Sequence, residues 1–262
     1  MQDALPGLIP APPLLRVLHD ADGLVAVDKP PGLLVHPSAL DPRAPHSVTA
    51  LLRARLGERL LPLHRLDRGT SGVLLLARGA PEARAVRAAF DARLVRKRYL
   101  ALVRGWPPAR GEIDQPLARD PERPSAGQPR LPALTRYATL ARFEWPFATH
   151  PSHAASRYAL VLAEPVTGRR HQIRRHFKHV AHPVVGDATH GKGAHNRAVA
   201  GFLGASRLWL HALSVALPWR GATLRVTATC GPQWAPLLAA VPGPHDLESD
   251  APTHLATTEG GR

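Results

Sequence analysis

Residues 64–72 read HRLDRGTSG, and the wholly apolar run VLLLA (73–77) follows directly. The run suits a strand buried on both faces. A loop with a single carboxylate, Asp67 between Arg65 and Arg68, therefore feeds a buried strand through the small residues Gly69-Thr70-Ser71-Gly72. An Asp in such a turn often bonds backbone amides, here those around Gly69-Thr70. The chemical alternative is a base or nucleophile, kept ionised by a neighbouring arginine.

Working outward, Leu24–Asp28 reads as a short strand stopped by the turn signal Lys29-Pro30-Pro31-Gly32. A helix is expected over 47–56, the buried strand over 72–77, and a second helix from Pro81 to about Leu94. Tyr99–Val103 has strand character, with Tyr99, Ala101 and Val103 sharing a face. Seven prolines in 106–133 argue for a long surface loop or inserted arm. Strands resume at 134–144 and 156–163. With Thr167 as N-cap, 168–181 has helical spacing: Ile173, Phe177 and Val180 on one face, Arg170, Arg174 and Lys178 in a neighbouring cationic stripe. Two more strands, 207–217 and 223–229, and a short helix near 232–241 follow. Helices and strands mix without regular βαβ alternation, which predicts an α+β fold. The expected organisation is a Pro-rich lead-in (1–15), one catalytic domain (16–241) and a disordered polar tail (242–262).

The 262 residues hold 34 Lys+Arg against 20 Asp+Glu, a formal charge of +14. Codon bias toward arginine accounts for there being only four lysines, but not for the excess of bases over acids, so a polyanionic partner, RNA or DNA, is expected. The single cysteine, Cys230, excludes an intramolecular disulfide and a cysteine-based metal site. No apolar run has the length of a membrane span and no signal peptide pattern opens the chain, so the expectation is a soluble, cytoplasmic protein.

The segment GRRHQIRRHFK (168–178) has five Arg/Lys and no acid. Arg174 falls at the edge of the buried face, where a guanidinium can pair with an interior carboxylate; the other bases suit phosphates. His171, His176, His179 and His182 raise a metal site, but the nearest following acid is Asp187 and the crowd of cations opposes a divalent ion, so no metal is expected. No phosphate-binding loop, dinucleotide fingerprint or nucleophile elbow is present, and no cofactor is expected.

Taken together, VAVDKPPGLLVHPS (25–38), HRLDRGTSGVLLLA (64–77), KRYLALVRG (97–105), TGRRHQIRRH (167–176), HPVVGD (182–187) and LWLHA (208–212) resemble, in order, the motifs of the RluA-type pseudouridine synthase family. The resemblance covers roughly residues 16–230. Residues 174–197 are most similar to the tRNA-specific C subgroup, whose members isomerise the uridine at tRNA position 65. The resemblance implies a mixed, largely antiparallel sheet with a central cleft and flanking helices, acting on tRNA as a monomer. An rRNA substrate and a non-catalytic RNA-binding role are the alternatives. It makes Asp67 the catalytic aspartate, Arg174 its ion-pair partner, and Tyr99 the residue stacked on the flipped uracil and a candidate for C5 deprotonation. Arg65 would fill the space the base vacates, and Ile173 would wall the base. Arg170 and Lys178 would bind the RNA backbone. Three routes for Asp67 stay open: attack on C1′, addition to C6, and a glycal route. Two departures stand out. His190 occupies a position where many relatives have Tyr, and the residues before 16 are too few for the S4-type RNA-binding domain common in the family.

Overall fold

The computed structural model describes residues 14–37 and 46–243. Most of the expected lead-in and nearly all of the expected tail lie outside those residues. The chain runs β1 (Arg16–Ala21), β2 (Leu24–Lys29), α1 (Val48–Leu56), β3 (Leu61–Pro62), β4 (Ser71–Ala77), α2 (Ala80–Asp91) and β5 (Arg96–Arg104). It continues through β6 (Arg110–Asp114), β7 (Leu117–Ala118), β8 (Arg130–Leu131), β9 (Leu134–Trp145), β10 (Ser156–Pro165) and α3 (Gln172–His179). The last elements are α4 (Gly193–Leu203), β11 (Leu210–Trp219), β12 (Ala222–Thr227) and, after a 3-10 turn, α5 (Ala235–Leu238).

One ten-stranded sheet carries the fold, in the order β1-β2-β4-β11-β5-β10-β9-β6, with β12 on β11 and β3 on β4. Within that sheet the β4–β11 pairing is parallel, joining Ser71 to His211 and Gly72 to Ala212, whereas the other strand pairs are antiparallel. The fold is the expected α+β one. The apolar run 73–77 is explained by burial on both sides. Leu74 and Leu76 join a core shared with α1 and α3, while Val73, Leu75 and Ala77 join one under α2. Strand β5 alternates likewise: Tyr99, Ala101 and Val103 face the α1–α3 core, and Leu100 and Leu102 a third core beneath α4 and α5. Gly72 is required where β4 meets β11: its φ is +106°, and a Cβ there would stand 2.2 Å from the Ala212 carbonyl oxygen.

Three expectations are corrected. Residues 106–133 are not one loop: β6 pairs along the sheet edge with β9, β7 and β8 form a small hairpin, and the irregular part is the tip between them. The prolines flank these short strands, as edge positions allow. Helix α3 starts at Gln172 rather than 168, and Thr167 is not its cap. Instead the Thr167 hydroxyl donates to Gln172 Oε1 at 2.7 Å and accepts from the Leu134 amide at 3.1 Å, tying the approach to the sheet. Helix α4 was not expected, because it opens on Gly193 without a side-chain cap and contains Gly201.

Candidate active site

The loop 63–70 is fastened at both ends and from below. At its start, His64 Nε2 accepts from the Leu75 amide at 3.0 Å. At its end, the Ser71 hydroxyl lies 2.9 Å from His211 Nδ1 and accepts from Arg207 Nη2 at 2.7 Å. His211 Nε2 must donate to the Ala228 carbonyl, 3.2 Å away, which leaves Nδ1 as the acceptor for Ser71. Beneath the loop lies Lys29, fully buried, whose ammonium donates to the carbonyls of Pro30, Leu33 and Arg68 at 2.9, 2.8 and 3.1 Å. Burial brings its pKa down to about 7, opposed by the nearby Asp67 charge. Arg68 also exchanges hydrogen bonds with Gly32: its carbonyl accepts from the Gly32 amide at 2.8 Å, and its Nε donates back to the Gly32 carbonyl at 3.0 Å. Within the turn the Thr70 amide bonds the Asp67 carbonyl at 3.0 Å. The main chain thus closes the turn by itself, and the Asp67 carboxylate is available for other partners.

Arg174 is its principal partner. Nη1 donates to Asp67 Oδ2 at 2.7 Å, while Nε and Nη2 bond Asp187 Oδ2 and Oδ1 at 2.7 and 2.8 Å. The Arg174 side chain is 9% exposed, Asp187 0% and Asp67 25%. Asp187 is thus the buried anchor that fixes the fork, and Asp67 is the carboxylate that still reaches solvent. Asp187 Oδ1 also accepts from the amides of Thr189 and His190 at 2.9 and 2.8 Å. Burial opposes ionisation of Asp187, but the Arg174 hydrogen bonds outweigh it and hold the carboxyl below the usual range. Two carboxylates thus share one guanidinium, Asp187 on its buried side and Asp67 on its more exposed side.

His171 precedes α3 in the left-handed region, φ +54°. This turn brings Nε2 to 3.7 Å from Asp67 Oδ1 and Nδ1 to 3.2 Å from His190 Nε2. Burial lowers the pKa of both imidazoles, that of His190 to about 4, so a neutral His171 lies beside the carboxylate at neutral pH, backed by a neutral His190. Tyr99, 9% exposed, lies in the same core as Leu66 and Ile173. Burial, and then the charge of Asp67, push its phenol well above the ordinary tyrosine value. The hydroxyl stays protonated, beneath an apolar wall that includes Ile173.

Arg65 is exposed on the loop. Lys178 is exposed in the last turn of α3, whereas Arg170 lies before the helix and is engaged by Glu122 and Asp120. The expected stripe of Arg170, Arg174 and Lys178 is therefore broken: Arg174 is buried in the ion-pair cluster and Arg170 sits off the helix. His176 is also unavailable to a metal, with Nδ1 on Thr135 Oγ1 at 2.9 Å and Nε2 on the Gln115 carbonyl at 3.1 Å. Among the described residues no group of three or more His, Cys, Asp or Glu is placed to hold a metal ion. Sequence reasoning gave no role to Lys29 or to the Asp187 anchor. The available signals were a lysine closing a buried strand, and a lone acid in a basic stretch.

The geometry joins one accessible aspartate, its arginine, a neutral tyrosine and an apolar wall. The family described as RNA pseudouridylate synthase matches residues 23–179. The chain belongs to that family. The tRNA pseudouridine synthase C of Vibrio cholerae serotype O1 is 39% identical over 233 residues, 86% of this chain and 95% of that one. The Haemophilus ducreyi protein of the same name is 40% identical over 229 residues, 84% and 93% of the two chains. Among solved structures, human RNA pseudouridylate synthase domain containing 1 has a TM-score of 0.65 at 26% identity, over 87% of this chain and 86% of that one. Human RNA pseudouridylate synthase domain containing 4 gives 0.63 at 26%, over 86% and 92%. The mixed, mostly antiparallel sheet is thus the pseudouridine synthase fold, and the chain is an RNA pseudouridine synthase. Among the described residues no helix is long and apolar enough to cross a membrane.

Proposed function

We propose that the protein isomerises a uridine of tRNA, at position 65 on the T-stem side of the acceptor arm, to pseudouridine without a cofactor. The observation that carries the chemistry is the Asp67–Arg174 bond at 2.7 Å, with Tyr99 in the same core. The relatives named for tRNA, similar along most of the chain, support the substrate. The reaction breaks N1–C1′, turns the uracil and joins C5 to C1′. C5 loses a proton and N1 gains one, so no redox partner is needed. A stacked base is out of reach of Asp67, and flipping it costs roughly a few kcal/mol.

In this reading Arg65 fills the vacated stack, and Tyr99 and Ile173 hold the uracil. Asp67 acts on the sugar carbon or the base, and Arg174 orients it. Arg170 and Lys178 contact phosphates. Residues 16–241 act as one catalytic domain, with the 106–133 segment adding to the grip on RNA. The protein works as a monomer in the cytoplasm, where tRNA is available.

The test is to incubate purified protein with a tRNA transcript and an rRNA fragment and map pseudouridine by carbodiimide modification and primer extension. A new stop reporting position 65 is expected. Pseudouridine in rRNA alone would overturn the tRNA assignment, and RNA binding with no pseudouridine anywhere would leave a non-catalytic binder.

A further inference from the structure

Residues 115–133 are tied through main-chain carbonyls to α3 and to the segment just before it. Arg175 Nη1 donates to Ala118 at 2.9 Å, Arg169 Nε to Pro132 at 3.0 Å, and His176 Nε2 to Gln115 at 3.1 Å. Between β7 and β8 the tip is organised by one side chain, Gln128. Its Oε1 accepts from the Asp120 amide at 2.8 Å, and its Nε2 donates to the carbonyls of Asp120 and Pro124 at 2.9 and 2.8 Å. Asp120 Oδ1 accepts from the Glu122 amide at 3.0 Å.

The tip built this way delivers two carboxylates to Arg170. Glu122 Oε1 accepts a hydrogen bond from Nη2, and Asp120 Oδ1 lies 3.8 Å from Nη1. Acids are out of place here. The chain carries a net charge of +14, and Arg170 stands four residues ahead of the guanidinium that holds Asp67. A carboxylate offers an arginine the same pair of oxygens that a phosphate does.

We propose that Asp120 and Glu122 are specificity-determining residues: they occupy Arg170 as stand-ins for phosphate and select for RNA that engages the arm as well as α3. The inference rests on the tRNA reading above and deepens it. Arg170 is 37% exposed and Glu122 50%, so the pairing shifts an equilibrium by no more than about fivefold. That is a bias and not a block. An RNA that brings phosphates to Arg170 without reaching the arm must break the pairing beside two carboxylates, and gains nothing in return. A folded RNA that also spans the arm recovers the loss on Arg119 and Arg130, both exposed on the same segment, whereas Arg123 is itself paired with Asp120 at 3.3 Å.

The experiment measures fluorescence anisotropy of a tRNA transcript and of a short oligouridylate on the full chain. The proteins are wild type, Asp120→Asn/Glu122→Gln, Arg170→Ala, and the triple variant. The double variant should bind oligouridylate about three- to fivefold more tightly and tRNA less than about twofold more tightly. In the Arg170→Ala background the carboxylate substitutions should lose most of their effect, leaving only what release of Arg123 from Asp120 contributes. Equal tightening on both RNAs, or an effect undiminished without Arg170, would overturn the proposal. Because the readout is binding, loss of the isomerase assignment would show separately, as absent pseudouridine formation.

Discussion

Arg174 and Asp67, 107 positions apart in sequence, are joined by a 2.7 Å hydrogen bond at the end of a fork whose other two nitrogens are taken by buried Asp187. The pairing holds the Asp67 carboxylate where the loop before β4 meets α3. In the proposed function it is also the point at which fold and chemistry depend on the same side chain.

Replacing Arg174 by Lys keeps the charge and removes the fork, since an ammonium cannot bond both carboxylates in that geometry. With Asp187 left buried and poorly paired, destabilisation of about 3–5 kcal/mol is expected in urea unfolding. Isomerisation should fall far below what the residual folded fraction explains. A variant of native stability and activity would remove Arg174 from the account.

The depressed pKa of Asp187 makes stability depend on acid. Its folded pKa lies below the unfolded value, so the folded state holds fewer protons in that window. The stabilisation is full above about pH 4 and is lost as pH falls through the folded pKa. Asp187→Asn should flatten that acid limb in unfolding free energies measured against pH, at the cost of lower stability at neutral pH.

Tyr99 has the opposite shift. Burial and the Asp67 charge push the phenol up, so no phenolate accumulates between about pH 7 and 10. Single-turnover rates should therefore not rise across that range through ionisation of Tyr99. Tyr99→Phe, which keeps the ring, should hold tRNA affinity within about twofold while slowing turnover by about a hundredfold or more. A rate that climbs with alkaline pH in wild type and not in Tyr99→Phe would contradict the neutral phenol.

Lys29 acts at a distance from substrate, as the bolt under the loop. Lys29→Met leaves the carbonyls of Pro30 and Leu33 without that donor, each unsatisfied group costing about 1–3 kcal/mol, while the Arg68 carbonyl keeps the Gly32 amide. The expected result is a lower melting temperature, and a fall in kcat larger than the change in KM.

Much of the site was legible because its parts are local in sequence. Asp67, Tyr99 and Arg174 each sit in a short motif that carries the family resemblance and with it their expected roles; β4 starts within one residue of the strand expected there, and β5 starts three residues earlier than expected. What was not legible depends on contacts distant in sequence. Asp187 becomes an anchor only when α3 folds back over the loop 183–190. Lys29 finds the Arg68 carbonyl across 39 positions. The start of α3 was misjudged because the Thr167 hydroxyl and the Arg169 amide bond the Gln172 side chain, and the helix opens at His171 without a side-chain cap. The strands within 106–133 were hidden by prolines that interrupt every pattern longer than a few residues.

The most direct test is tritium release from C5-labelled tRNA transcripts, with wild type and Asp67→Asn compared at equal folded concentration and saturating RNA. Release by wild type and none above background by Asp67→Asn, with RNA affinity retained, is the result this account requires. Release by Asp67→Asn at the wild-type rate would contradict it.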